Sequence, residues 1–425
     1  MRIVKNHFPF FKTFMILSLI IPLGSTSTFS SSSIPESIAE TKQYYTDNYS
    51  CYEDSFTPSC QDFQILESVT INGKNVPGVD ILKVSYTSDG YRIFGFVIKP
   101  TREGIFPLIV YNHGGTLGVP ENAFPLNVDL ARSGAVIVMS AYRGENLIND
   151  NIDRIVVNTE NNRSEGEVDP YEIHDVLNLM ECGKTLEMVD PNRIGMFGSS
   201  HGGLLTLLAL ERSDEIDVGA FFYGYNILQG YLGFLKHPSR TPATLFSPSF
   251  RSLVKKDQLD YINKADPMLC LDKIQTPLLV IVGDNDTPDI YDGTIQLIEK
   301  LKESNANFEY KVYPDEGHSF NLYLTPKQKS GSVLDAYERL ASFFRERLGA
   351  LSSPTETGVK PVPGALKKRF DEFKNQIKTT REAGYDISEP RSIAQNAREA
   401  FQSGDRDKAE QLLEEAFDVL NNLDE

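Results

Sequence analysis

The sequence predicts an α/β fold in which a mostly parallel sheet is covered by helices on both faces, with a C-terminal helical appendage. Three observations lead to this prediction. Short apolar runs rich in β-branched residues recur along the chain, as in strands buried on both faces. Segments with helical spacing of apolar residues separate these runs, which is typical of a parallel sheet between helical layers. After residue 364 the apolar pattern is helical throughout.

The predicted elements follow in order. An alternating pair of segments, 81–87 and 91–99, predicts a hairpin with its turn at Ser88-Asp89-Gly90. The runs that predict buried strands are 108–111, 135–139, 194–197, 218–222 and 278–282, and a further strand is predicted at 308–313. The helical patterns cover approximately 169–187, 201–212, 290–304 and 332–348. Because crossovers between parallel strands are right-handed, the carboxyl ends of these strands, and any site built on them, are expected at one edge of the sheet.

The N-terminal residues have the pattern of a secretory signal peptide. Arg2, Lys5 and Lys12 precede an apolar run at 14–23, and small polar residues follow it. The run is short for a membrane span, and no other segment resembles a transmembrane helix. We therefore predict a signal peptide at residues 1–28 and a secreted or periplasmic protein, with an uncleaved N-terminal anchor as the alternative.

The four cysteines lie in two different settings. Cys51 and Cys60 belong to a polar, aromatic N-terminal arm, predicted at residues 29–80, and are close enough in sequence to close a short loop in an oxidising compartment. Cys182 and Cys270 lie in mostly apolar stretches and are interpreted as buried small side chains. Four cysteines cannot replace an apolar core in a chain of 425 residues.

The remaining organisation follows from changes in composition. A main domain is predicted at residues 81–350, with a cap-like insertion at 224–266 that interrupts the alternation of strands and helices. A stretch rich in serine, proline, threonine and glycine at 351–364 predicts a linker. We expect the helices of 365–425 to pack on the main domain or on a second copy of the chain.

The charge balance excludes one class of partner. The chain carries 42 basic and 59 acidic residues, for a formal charge of −17. Nucleic-acid binding needs a basic surface, and no basic run is present. The cysteine and histidine spacings of zinc sites are also absent.

The sequence Gly198-Ser199-Ser200-His201-Gly202-Gly203 is the strongest indication of chemistry. A GxSxG match alone is weak evidence, but this one lies between a predicted strand and a predicted helix. In that setting the glycines allow a sharp turn that exposes the serine at the helix N-terminus, where a developing oxyanion is stabilised. Ser200 is therefore the candidate nucleophile.

A serine nucleophile needs a base and an acid that orients the base. His318 follows the predicted strand 308–313 in a loop at the sheet's carboxyl edge, and chain order selects it as the base. Asp286 lies a few residues beyond the strand 278–282 and is the favoured acid, with Asp284 as the alternative. Asp284, Asp286, Asp289 and Asp292 also suggest a calcium-binding loop, but they lack the ligand and glycine spacing of an EF-hand.

These residues predict acyl transfer. Ser200 would attack a carbonyl carbon while His318 takes its proton and Asp286 orients the imidazole. The N–H of His201 and a second donor from His113-Gly114-Gly115 would hold the oxyanion. This chemistry requires no cofactor and no metal ion.

Residues 85–348 resemble the catalytic domain of the prolyl oligopeptidase family of serine peptidases, within the α/β-hydrolase fold. The resemblance implies a triad of Ser200, Asp286 and His318. In the family the position of His113 supplies an oxyanion contact, and whether backbone or ring does so here stays open. The stretches that carry the resemblance are 111–115 (Tyr-Asn-His-Gly-Gly), 142–144 (Tyr-Arg-Gly), 190–195 (Asp-Pro-Asn-Arg-Ile-Gly), 198–203, 276–279 leading into 283–286, and 313–318 (Tyr-Pro-Asp-Glu-Gly-His).

The chain also departs from the family. Val282-Gly283 replaces the usual His-Gly, and only about fifty residues separate the predicted leader from the first strand. That length leaves no room for the N-terminal β-propeller of the oligopeptidases. The resemblance implies a peptidase that cleaves peptide or arylamide bonds. A carboxylic-ester hydrolase acting on small or saccharide-linked esters stays open because the fold does not decide between ester and amide. A non-catalytic scaffold is the third hypothesis.

Overall fold

The computed structural model describes residues 37–149, 155–156, 170–239, 246, 248–320, 331–349, 373, 376–377, 380, 387–402 and 406–421. The predicted signal peptide (1–28) and linker (351–364) lie outside the described residues.

A nine-stranded sheet forms the centre of the main domain. Its strands are β1 (Gln61–Ser68), β3 (Val79–Ser88), β4 (Tyr91–Pro100), β5 (Phe106–Asn112), β7 (Val136–Ser140), β10 (Val189–Ser199), β11 (Val218–Phe222), β12 (Leu278–Gly283) and β13 (Phe308–Tyr313). Two short pairs lie outside it, β2 (Thr70–Ile71) with β9 (Ile155–Val156) and β6 (Val119–Pro120) with β8 (Ile148–Asn149).

The spatial order of the large sheet is β1-β3-β4-β7-β5-β10-β11-β12-β13. The pairs β1–β3, β3–β4 and β4–β7 are antiparallel, and every pair from β7 to β13 is parallel. Every residue of β5, β7, β11 and β12 is buried. This burial explains why these strands are continuously apolar instead of alternating.

Helices cover both faces of the sheet, as the sequence predicted. The α-helices described in the arm and the main domain are α1 (Ile38–Asn48), α2 (Ala123–Arg132), α3 (Glu172–Lys184), α4 (His201–Arg212), α5 (Ile227–Lys236), α6 (Pro248–Ser252), α7 (Lys255–Lys264), α8 (Pro288–Glu303) and α9 (Gly331–Leu348). Within β10, Gly195 lies against Phe344 and Leu348 of α9, whereas Gly198 lies against Thr206 of α4. Residues an odd number of positions apart in a strand face opposite sides, so α4 and α9 cover opposite faces.

The N-terminal arm is integrated with the main domain. Strand β1 pairs with β3 and thereby extends the sheet at its edge. Helix α1 has a complete capping box at Ser37 and Glu40, which satisfies its first N–H groups. The buried Tyr45 of α1 donates a hydrogen bond at 3.0 Å to Oδ2 of Asp266, the last residue of the predicted cap-like insertion.

The disulfide expectation is wrong. Cys51 pairs with Cys270 and Cys60 pairs with Cys182, so the two cysteines of the arm do not pair with each other. Cys182 and Cys270 are buried, as predicted, but as halves of disulfides. Short sequence separation favoured Cys51–Cys60, whereas the fold brings each arm cysteine to within 4.8 Å or less, Cα to Cα, of a distant partner.

The insertion at 224–266 contains α5, α6 and α7, and its aromatic side chains pack on one another. Phe234, Phe246 and Phe250 are buried, with the ring centroids of Phe246 and Phe250 4.8 Å apart. Two further helices, Ser388–Gln402 and Arg406–Asn421, pack on each other through Ala397, Leu413, Ala416 and Leu420. Among the described helices, none combines the length and apolar composition needed to cross a membrane.

We expect the double substitution Cys60→Ser/Cys182→Ser to lower the free energy of unfolding by ~2–5 kcal/mol, because the disulfide constrains the unfolded chain. Chemical denaturation without reductant measures this change. Peptide mapping of the non-reduced wild type provides the control, since it should recover Cys60 linked to Cys182. Recovery of Cys60 linked to Cys51 would contradict the pairing.

Candidate active site

Ser200 lies in a strained turn between β10 and α4. Its backbone has a positive φ of 55°, which is uncommon for a residue other than glycine. A Cβ atom at Gly202 would overlap the carbonyl oxygen of Asn112, and one at Gly198 would overlap the carbonyl oxygen of Gly202. Both glycines are therefore required by close backbone approach, as the predicted turn demands.

Three side chains predicted to act together meet at the carboxyl edge of the sheet. His318 Nε2 lies 3.0 Å from Ser200 Oγ, and His318 Nδ1 lies 3.0 Å from both carboxylate oxygens of Asp286. A carboxylate accepts hydrogen bonds, so the imidazole proton belongs on Nδ1. Nε2 is then free to accept the proton of the serine hydroxyl.

Burial differs within this trio. The Asp286 side chain has no exposed surface, whereas 34% of the His318 side chain is exposed. The backbone N–H of Thr287 donates to Asp286 Oδ1 at 2.6 Å and helps to hold the carboxylate. The ring centroid of Tyr223 lies 5.1 Å from that of His318. The His318 imidazole is thus partly open to solvent, while the Asp286 carboxylate stays away from water.

Asp284, the alternative acid, has another contact. Its Oδ1 accepts a hydrogen bond from the backbone N–H of Asp315 at 2.7 Å, and its own N–H donates to the carbonyl of Tyr313. Asp284 therefore supports the loop that carries His318. The structure brings Asp286, and not Asp284, to the imidazole.

The backbone donors predicted for the oxyanion lie beside Ser200. His201 is the first residue of α4, so its N–H has no acceptor within the helix. A Cβ atom at Gly114 would lie 3.1 Å from Ser200 Cβ, which shows how closely the loop 113–115 packs on the turn. These positions allow the N–H groups of His201 and of the 113–115 loop to face a carbonyl bound at Ser200.

The side chain of His113 does not contribute its ring to this site. The ring has no exposed surface and stacks on Tyr142 with centroids 4.2 Å apart. Its Nδ1 lies 3.0 Å from the carbonyl oxygen of Gly114, and its Nε2 lies 3.3 Å from Glu145 Oε2. Both ring nitrogens face buried groups, so the oxyanion contact predicted at His113, Gly114 and Gly115 is left to the backbone.

Sequence reasoning missed two buried glutamates next to the turn. Glu172 and Glu145 both have side chains without exposed surface, and Glu172 Oε2 lies 2.9 Å from His201 Nε2. Burial and the neighbouring Glu172 raise the pKa of Glu145 well above its ordinary value, which favours the neutral carboxyl. The chain contains many acidic residues, and nothing in the sequence around these two glutamates indicates that they are buried.

The pKa values of the two histidines of this region are shifted in opposite directions. Burial lowers the pKa of His113 to about 3, so its ring is neutral. Burial also acts to lower the pKa of His201, but the Glu172 carboxylate outweighs it and the pKa is raised. Among the described residues, Glu145, Glu172 and His201 form the only group of three potential metal ligands, with ligand atoms within 4.8 Å. The His201–Glu172 contact already accounts for two of them, and we assign no metal there.

Comparison with known proteins identifies related chains. A model of the prolyl oligopeptidase family matches residues 125–350. Dipeptidyl peptidase family member 6 of Caenorhabditis elegans is 22% identical over 324 residues, covering 72% of this chain and 40% of that protein. A Salmonella typhimurium protein described provisionally as a carboxymethylenebutenolidase is 23% identical over 157 residues, covering 37% of this chain and 47% of that protein.

A solved structure has the same fold. Acylaminoacyl peptidase of Pyrococcus horikoshii superposes with a TM-score of 0.50 at 19% identity, covering 64% of this chain and 43% of that one. The chain spans less than half the length of each of these three proteins.

We expect Asp286→Asn to lower kcat by ~10⁴-fold, because the amide favours the wrong imidazole tautomer. Asp284→Asn is the matched control, since its amide oxygen still accepts from Asp315 and it lies outside the trio. Steady-state kinetics on any ester or arylamide that the wild type hydrolyses measures both. Equal losses in the two variants would contradict the assignment of Asp286.

Proposed function

The chain belongs to the prolyl oligopeptidase family and is a serine hydrolase, and we propose that it is an exported peptidase. It cleaves peptide or arylamide bonds through an acyl-enzyme on Ser200, with His318 as base and Asp286 as the acid that orients it. The observation that carries the proposal is the continuous contact from Ser200 Oγ through the His318 imidazole to Asp286, each step at 3.0 Å.

The reaction proceeds in two halves. The Ser200 hydroxyl oxygen attacks the substrate carbonyl while its proton passes to His318 Nε2, and a C–O bond forms in a tetrahedral intermediate. The backbone N–H groups of His201 and Gly114 stabilise the negative oxygen. The intermediate collapses by breaking the bond to the leaving group, which takes the proton from His318. Water then attacks the acyl-enzyme with the same proton transfers and releases the acid and free Ser200.

The relatives favour a peptidase first. Two of the three compared proteins are named as peptidases, and the family model is that of the prolyl oligopeptidases. The second candidate is a carboxylic-ester hydrolase on small or saccharide-linked esters. One relative is named for hydrolysing a butenolide, which is a cyclic ester.

Two features support export. The N-terminal residues have the pattern of a signal peptide. All four cysteines are paired in disulfides that join the arm to distant parts of the main domain. Such structural disulfides persist in oxidising compartments and are rare in the cytosol.

A fluorophosphonate probe and a mixed substrate panel test the proposal. We expect the probe to label the wild-type protein and not Ser200→Ala, because only an activated serine hydroxyl reacts. The panel contains proline- and alanine-linked arylamides together with p-nitrophenyl acetate, and turnover of an arylamide is expected.

Ester turnover without any arylamide turnover would reject the peptidase and favour the esterase. A folded wild type that neither reacts with the probe nor hydrolyses any panel member would reject enzymatic function altogether.

A further inference from the structure

We propose that the His201 side chain is a positioning element of the oxyanion site. Its imidazole links the helix that carries one backbone donor to the loop that carries the other, and Glu172 holds the ring in place. This inference rests on the proposed function and adds a role for two buried side chains that the two-step mechanism does not use.

The link itself is a short contact. His201 Nδ1 lies 3.0 Å from the carbonyl oxygen of Gly115, and the histidine is only 3% exposed. A carbonyl oxygen can only accept a hydrogen bond, so Nδ1 carries the hydrogen and donates it. The first residue of α4 is thereby fastened to the end of the 113–115 loop.

A second contact fixes the ring from the other side. His201 Nε2 lies 2.9 Å from Glu172 Oε2, and Glu172 is the first residue of α3. The ring of Tyr142 meets the imidazole edge-on, with centroids 5.9 Å apart. With both nitrogens and one edge in contact, the imidazole cannot rotate about χ2 without losing a polar partner inside the protein.

The geometry of the loop shows why such a link matters. A second side-chain hydrogen bond joins the loop region to α4. The side chain of Asn112, the residue before the loop, donates to Thr206 of α4 at 3.0 Å and fixes the start of the loop. Gly115, at the far end, has a positive φ of 77° that only glycine adopts readily. The His201 contact therefore fixes the far end of the loop. Gly114, with its donor N–H, lies between the two fastened points.

Loss of the contact between His201 and Gly115 is expected to displace the oxyanion donors and to lower kcat. A misplacement of about 1 Å costs roughly 100-fold in rate, and loss of one oxyanion donor costs about 10²–10³-fold. Donors that point at the oxyanion act mainly in the transition state, so their misplacement lowers kcat more than it changes KM.

Two substitutions of His201 separate the link from general packing. His201→Asn places its amide nitrogen where Nδ1 lies and can still donate to Gly115, but it loses Glu172. His201→Gln reaches the position of Nε2 and keeps a polar group at Glu172, but it leaves the Gly115 carbonyl without its donor. Both variants exchange the ring for an uncharged amide, so each is the other's control.

We expect His201→Gln to lower kcat for p-nitrophenyl acetate by about 100-fold with a much smaller change in KM. The kcat of His201→Asn is expected to be about ten-fold higher than that of His201→Gln. Inhibition by phenylboronic acid, which forms a tetrahedral adduct with an active serine, should weaken in parallel with kcat/KM. Thermal unfolding measures the loss of stability in each variant, and we expect this loss to be similar in the two.

The outcomes distinguish the two proposals. If the wild type is active and the two variants have equal kcat, the positioning role is overturned while the proposed function stands. A wild type without probe labelling or turnover removes the proposed function, and the positioning role with it. If His201→Gln does not fold, Glu172→Gln and Glu172→Met replace the pair, because only the glutamine keeps an acceptor for Nε2. Equal kcat in these two variants overturns the role as well.

Discussion

The positive φ of Ser200 depends on close approach of backbone on both sides of the turn. Helix α4 can begin directly after β10 only because Gly198 and Gly202 let the turn lie against the carbonyl of Asn112. That contact also brings the 113–115 loop beside the serine. A single steric requirement thus determines the positions of the hydroxyl and of the backbone N–H groups that we propose as oxyanion donors. The strain at Ser200 is maintained because both flanking elements are buried and cannot relax.

The parallel sheet then brings the other two side chains to the same edge. Strands β10, β11, β12 and β13 are consecutive neighbours and parallel, so their carboxyl ends are aligned. Asp286 follows β12 and His318 follows β13, and both loops end on the side where β10 delivers Ser200. Sequence separations of 118 and 32 residues are thereby reduced to 3.0 Å contacts. Asp284 helps to hold the loop from which His318 projects, because its carboxylate accepts a hydrogen bond from the backbone N–H of Asp315.

Apolar patterning was enough to predict the buried strands and α4, because elements that are buried on both faces consist mainly of apolar residues. Chain order was enough to select Ser200, Asp286 and His318 as candidates that the fold brings together. The disulfides could not be predicted, since pairing depends on which distant segments the completed fold places side by side. The burial of Glu145 and Glu172 could not be predicted for the same reason. Their burial is created by groups from other parts of the chain, and nothing in their own neighbourhoods distinguishes them from exposed acids.

These glutamates raise an electrostatic question, because negative charge buried beside an oxyanion site would oppose the transition state. The pKa shifts of the cluster oppose this effect. Burial and the neighbouring Glu172 raise the pKa of Glu145, which favours its neutral form. Burial lowers the pKa of His113 to about 3, so its ring is neutral. At His201 the Glu172 carboxylate outweighs burial and raises the pKa, which favours the imidazolium. The two histidine–glutamate pairs thus have pKa shifts of opposite direction at the histidine, and the raised one lies on the residue whose N–H is the proposed oxyanion donor.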